Sequence, residues 1–161
     1  MFLPADRAPE YLTNRIDKSK ILQQLLEFPS YFALETTADC NASCRMCPLE
    51  FGNDRYMSDV LFDKVSQELV DNKHHIKRLT MQGRGEPLLD RQIYDRVDFF
   101  ARHKLPTYMS TNVSVLTERN GRRLLEAGIQ QILFAIDSIH KEPYEEIRVG
   151  LKYEQVMRNA L

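Results

Sequence analysis

Every cysteine of this chain falls in one short stretch, CNASCRMC at positions 40–47. Cys40, Cys44 and Cys47 follow a C-x3-C-x2-C spacing. An odd number of thiols cannot all pair as intramolecular disulfides. Their clustering points to metal or redox chemistry rather than to crosslinks. A thiolate is a soft ligand suited to iron–sulfur clusters, zinc and copper(I). Most 4Fe–4S clusters take four cysteines. Here one corner would fall to water, a histidine, a substrate or a cofactor, and an open coordination position marks a catalytic rather than a structural metal site. A structural zinc completed by a histidine, or an electron-carrying module, would use the same three thiols, and both readings stay open at this point.

Further segments hold residues that could do chemistry. QGRGEPLL (82–89) combines glycines with a carboxylate. Glycine lets backbone approach a ligand, and carbonyls or a carboxylate can accept from an ammonium group. STN (110–112) offers hydroxyls and a carboxamide, and AID (135–137) an aspartate. YEEIRVG (144–150) carries Arg148, whose guanidinium can grip a carboxylate through two bonds. On a helix surface Arg148 would instead pair with Glu145 at i,i+3.

The elements that position these segments alternate. The spacing predicts strands at YFALETT (31–37), HIKRLTMQ (75–82), PTYMST (106–111) and QQILFAID (130–137). Helices are expected over 18–28, 57–72, 91–104 and 117–128, with a short one in SIHKEPYEEIRVG and another beginning in KYEQVMRNAL. Ser58 is the expected N-cap of the 57–72 helix, and Leu61, Val65, Leu69 and Val70 its apolar face. Gly128 is the expected C-cap of the 117–128 helix. Residues 1–30 read as a polar arm followed by a short amphipathic helix, and 31–161 as the α/β domain. Four strand–loop–helix units argue for a parallel sheet. The cysteine loop, GRGEP, STN and IDS each follow a strand, so each should lie at the C-terminal rim, where α/β folds collect ligands. His74 and His75 precede a strand and fall on the opposite rim, whereas His140 lies on the cysteine side.

With these pieces assembled, the sequence resembles the radical SAM enzymes. The C-x3-C-x2-C spacing, the lead-in ALETTADCN and the GEP that follows the second strand carry the resemblance. It implies a partial (β/α) barrel, of which this chain supplies about four units of an expected six. It also implies a 4Fe–4S cluster on Cys40, Cys44 and Cys47, with S-adenosylmethionine on the fourth iron. One electron would then cleave that cofactor to a 5′-deoxyadenosyl radical, which takes a hydrogen atom from a peptide, protein residue or small metabolite. The family pattern places Met46 near the adenine and Gly85, Glu86 and Pro87 at the methionine amine. Ser110, Asn112 and Arg148 become candidates for the ribose or carboxylate. Three positions depart from the pattern: Arg84 stands where the first glycine of GGEP is usual, Val113 where TNG has glycine, and Ala135 where relatives carry serine. Ser110 or Ser138 could replace that serine. The lead-in and QGRGEP also resemble the SPASM group, whose extensions carry auxiliary clusters. The implied partner is a one-electron reductant such as flavodoxin or ferredoxin. A degenerate interaction domain on the same fold is a rival reading, for which Arg84 and Ala135 are the best support.

The totals set outer limits. Apolar residues are 43% and charged residues 28% of 161, which suits one globular domain with a real core. A net charge of −1 gives no electrostatic case for nucleic acid or an anionic membrane. With no long apolar run and no basic leader, a cytoplasmic location is the default expectation. Four units ending inside a helix at Leu161 would leave an unpaired sheet edge, as expected of the N-terminal part of a longer protein.

Overall fold

The computed structural model describes residues 28–47 and 55–161. Of the arm and helix expected over 1–30, residues 1–27 lie outside the described residues. Four short strands form one parallel sheet: β1 (Tyr31–Ala33), β2 (Arg78–Thr80), β3 (Thr107–Thr111) and β4 (Gln131–Phe134). The strand order is β1-β2-β3-β4, with Phe32 opposite Leu79, Thr80 opposite Tyr108 and Ser110 opposite Leu133. Each strand adds to the same edge, without the order reversal of a doubly wound sheet. This is barrel-type winding, and right-handed crossovers then lay the helices on one face.

The helices are α1 (Asp59–Asp71), α2 (Ile93–Arg102), α3 (Glu118–Glu126), α4 (Lys141–Ile147) and α5 (Tyr153–Ala160). Ser58 caps α1 as expected, its hydroxyl accepting from the Leu61 N–H at 3.3 Å. Thr117 caps α3 in the same way. Gly128 follows α3 with φ +87°, a left-handed conformation that glycine adopts at no steric cost. The buried side chains of α1 are Phe62, Ser66 and Leu69, while Leu61 is exposed. Leu69 is buried and Val65 and Val70 pack against the core as expected, but Phe62 takes the place of Leu61, because its ring packs edge-on against Phe99 and Phe100 of α2.

The core lies between sheet and helices. Leu79, Met81 and Met109 from the sheet side meet Ile93, Val97, Phe100, Leu124 and Val156 from the helices, all buried. Each such side chain contributes roughly 1.5–3 kcal/mol by leaving water. All four strands are shorter than their apolar patterns suggest. Residues 73–75 form a 3-10 turn, and after the cross-strand bonds of Met81 and Ala135 the chain builds the rim. At the far edge Leu133 and Phe134 of β4 are exposed, and among the described residues β4 pairs with β3 alone. No described helix is long and apolar enough to cross a membrane.

Candidate functional site

The segments following the four strands meet at a cavity of about 340 Å³ on the C-terminal rim of the sheet. Cys40, Cys44 and Cys47 all line it. Cys44 is buried, Cys40 and Cys47 half-buried, and all three are free thiols. Their loop is tied down by backbone bonds. Ser43 N–H donates to Val149 C=O at 2.8 Å, Arg45 N–H to Ile147 C=O at 3.0 Å, and Cys47 N–H to Cys44 C=O at 3.0 Å. Burial pushes the Cys40 thiol up; the Ala42 N–H opposes this, while Glu86 and the other two cysteines add to it. Among the described residues no three His, Cys, Asp or Glu side chains form a set that could hold a metal ion. The three thiols share one wall of the cavity.

The GEP loop locks against this wall. A Cβ at Gly85 would fall 2.2 Å from the Thr37 carbonyl oxygen and 2.7 Å from that of Asp39, so only glycine fits between the two loops. The Glu86 N–H donates to the Asp39 C=O at 2.8 Å. The Glu86 carboxylate, almost wholly buried, accepts from the Thr111 hydroxyl and the Leu88 N–H at Oε1 and from the Asn112 N–H at Oε2. Burial raises its pKa, while those donors and Arg148 hold it down. Both carboxylate oxygens are thus engaged in joining the GEP loop to the end of β3. Pro87 is buried at the start of the 3-10 turn Pro87–Leu89. Glu35 accepts from the Arg84 N–H and occupies the space a Cβ at Gly83 would need. Arg84 lines the cavity and lies 4.0 Å from Glu35.

The end of β3 forms a further wall. Ser110, Thr111 and Asn112 line the cavity. The Asn112 carboxamide is part of a network: its Nδ2 donates to Asn41 Oδ1 at 2.9 Å, and its Oδ1 accepts from Ser114 N–H and Oγ at 2.9 and 2.6 Å. Asn41 Nδ2 donates in turn to Ser114 Oγ at 2.8 Å, so the cysteine loop is fastened to β3. Val113, buried and β-branched, adopts φ +68°. Its carbonyl accepts from Asn159 Nδ2 of α5 at 2.9 Å.

Arg148 closes the ring. It pairs with Asp137, not with Glu145, whose carboxylate instead accepts from the Tyr153 N–H. Its Nη1 lies 3.6 Å from Cys44 Sγ. Met46 lines the cavity with an exposed side chain, and Ala135 lies on its wall. Ser138 bonds locally to His140, which sits at the N-cap of α4. His74 and His75 form the 3-10 turn before β2, at the opposite end of the sheet.

The cavity therefore gathers the cysteines, Met46, Gly85, Glu86, Ser110, Asn112 and Arg148, and leaves Pro87 in the packing below. Sequence reasoning missed Asn41, Ser114 and Glu35, and gave Thr111 no role of its own within STN. Asn41 and Ser114 meet across 73 positions, and nothing local to either marks it.

Comparison with known proteins bears on the family and the fold. Residues 34–161 match the family model described as Radical SAM superfamily. A probable GTP 3′,8-cyclase of Methanococcus maripaludis is 23% identical over 128 residues, covering 79% of this chain and 43% of the relative. An AdoMet-dependent heme synthase of Oleidesulfovibrio alaskensis is 27% identical over 128 residues, covering 78% of this chain and 33% of that protein. The chain thus spans less than half the length of these relatives. Among solved structures, Streptococcus suis SuiB bound to precursor peptide SuiA superposes with TM-score 0.72 at 17% identity, over 88% of this chain and 32% of that one. BtrN in complex with AdoMet and 2-DOIA gives TM-score 0.61 at 24% identity, over 67% and 46%. The fold, a parallel β/α partial barrel, is theirs, and with a family model matching most of its length the chain belongs to the radical SAM superfamily.

Proposed function

We propose that this chain is the cofactor-cleaving part of a radical SAM enzyme, with Cys40, Cys44 and Cys47 as ligands of a 4Fe–4S cluster. The single observation that carries this is the convergence of three free thiols with the GEP loop, Asn112 and Arg148 on one cavity. The residues fit the group. Three soft donors from one loop, all lining one cavity, leave one corner of a cubane without a cysteine. When bound, the cluster supplies one electron that cleaves S-adenosylmethionine to methionine and a 5′-deoxyadenosyl radical.

The protein's own groups divide the remaining work. Backbone at Gly85 and Glu86 takes the methionine amine, since the Glu86 side chain is spent on Thr111, Leu88 and Asn112. Pro87 acts from below by fixing the turn. Met46 covers the adenine, Ser110 and Asn112 flank the ribose, and Arg148 faces the carboxylate. A small one-electron carrier such as flavodoxin or ferredoxin supplies the reductant. The substrate is a peptide or a small metabolite. The precursor peptide held by SuiB supports the first, and the 2-DOIA held by BtrN supports the second.

The test is reconstitution of the complete protein without oxygen, reduction with dithionite and assay of 5′-deoxyadenosine after adding S-adenosylmethionine. Product is expected. Cys44→Ala should lose both the brown absorbance and the product while keeping its fold. A verified 4Fe–4S preparation that ignores S-adenosylmethionine would make this an electron-carrying module instead.

A further inference from the structure

Cys44 and Arg148 are 104 positions apart, yet backbone sets them face to face. The bonds Ser43 N–H to Val149 C=O and Arg45 N–H to Ile147 C=O flank the two residues on either side, so their spacing does not rest on a flexible side chain alone. Gly150 lets the chain turn there with φ +95° and passes close to the Asn41 carbonyl. The Arg148 side chain is 16% exposed, and its Nε is held by the Asp137 carboxylate. A guanidinium carries five N–H donors in a rigid fork. With Nε on Asp137 and Nη1 at 3.6 Å from the Cys44 sulfur, the fork still offers Nη2 to the cavity.

We infer that Arg148 acts on the cluster itself: it donates an N–H···S bond to the Cys44 thiolate and raises the potential at which the cluster accepts its electron. This rests on the reading of Cys40, Cys44 and Cys47 as ligands of a 4Fe–4S cluster. The physics is direct. Reduction adds one negative charge to the cluster, a nearby cation favours the reduced form, and a nearby anion opposes it. Hydrogen bonds to ligand sulfur act in the same direction as the cation. Arg148 therefore raises the potential and Asp137 moderates it. The two residues of one ion pair should shift the couple in opposite senses.

The experiment is an EPR-monitored redox titration of the reconstituted full-length protein, without S-adenosylmethionine, so that carboxylate binding by Arg148 plays no part. Arg148→Met should lower the reduced-to-oxidised ratio at a fixed potential about tenfold, equivalent to about 59 mV for a one-electron couple. Arg148→Lys should shift less, because it keeps the charge and loses the fork. Asp137→Asn should shift the couple upward. If Arg148→Met takes up no cluster, the Lys and Asn variants decide by their opposite signs. An Arg148→Met potential equal to that of the unmodified protein would overturn the inference. So would Asp137→Asn moving in the same direction as the arginine variants. An unmodified protein that assembles no 4Fe–4S cluster would overturn the underlying reading first, a result distinct from a cluster whose potential does not move.

Discussion

Arg96 and Arg148 are both arginines paired with an aspartate, and the fold uses them differently. Arg96, on α2, is 3% exposed. Its Nη1 donates to Asp90 at 2.9 Å, and its Nη2 reaches the Met57 carbonyl and Gln92 at 2.8 and 2.6 Å. Its guanidinium also lies over the Phe62 ring at 4.9 Å. Only Nε lacks a partner among the described residues. Arg148 is half-buried, spends one nitrogen on Asp137 and turns another to a cysteine sulfur. The first pair clamps α2 to the loop before it and to the residue entering α1. The second stands at the strands' C-terminal rim with donors toward a cavity. Residue type does not separate structural from chemical arginines here; what each guanidinium has left to offer does.

The sharpest way to break that contrast is Arg96→Met. It strands the Asp90 carboxylate, 4% exposed, with no cation, and removing one partner of a buried pair costs about 3–5 kcal/mol. In a chain of this size that lowers Tm by roughly 10 °C. Thermal melts check it, and the cluster potential should not move. A loss below about 1 kcal/mol would mean that the Arg96 pair is no more structural than a surface one. Asp137→Asn is the counterpart. Its pair is partly open to water, so the stability cost should stay under about 1 kcal/mol, measured by urea titration. The expectation is thus a large stability effect without a redox effect at α2, and the reverse at the rim.

Most of the architecture was legible beforehand, because it rests on local rules. The β/α alternation, the Ser58 cap and the Gly128 stop follow from periodicity and from the φ that each position demands. The cysteine triad and Gly85 were legible as motifs. What stayed hidden depends on where distant backbones come to rest. Glu86 reads as a ligand in isolation, but Thr111 and Asn112, 25 and 26 positions away, take up its carboxylate. Arg148 reads as a helix-surface residue or a carboxylate grip until the Ile147–Val149 segment is laid against the cysteine loop. The shift of the α1 face from Leu61 to Phe62 has the same origin. Both residues suit a helix, and only the rings of Phe99 and Phe100 decide between them.

The smallest predicted effect separates the rim from the core at a single valine. Val113 and Val156 are equally buried, but Val113 stands on the rim with φ +68°, where a β-branched residue is strained by roughly 1–2 kcal/mol. Asn159 and Gln155 of α5 hold the carbonyls of Val113 and Ser114, which fixes the loop in that conformation. Val113→Ala keeps the strain and loses packing. Val113→Gly loses slightly more packing, worth about 1.5–3 kcal/mol for the whole side chain, and releases the strain. The glycine variant should therefore be the more stable of the two, with both below the unmodified protein, reversing the usual ranking of alanine over glycine. Paired chemical denaturation curves would show it. If alanine proves the more stable, the strain does not reside at Val113, and the rim is built from relaxed backbone like the core beneath it.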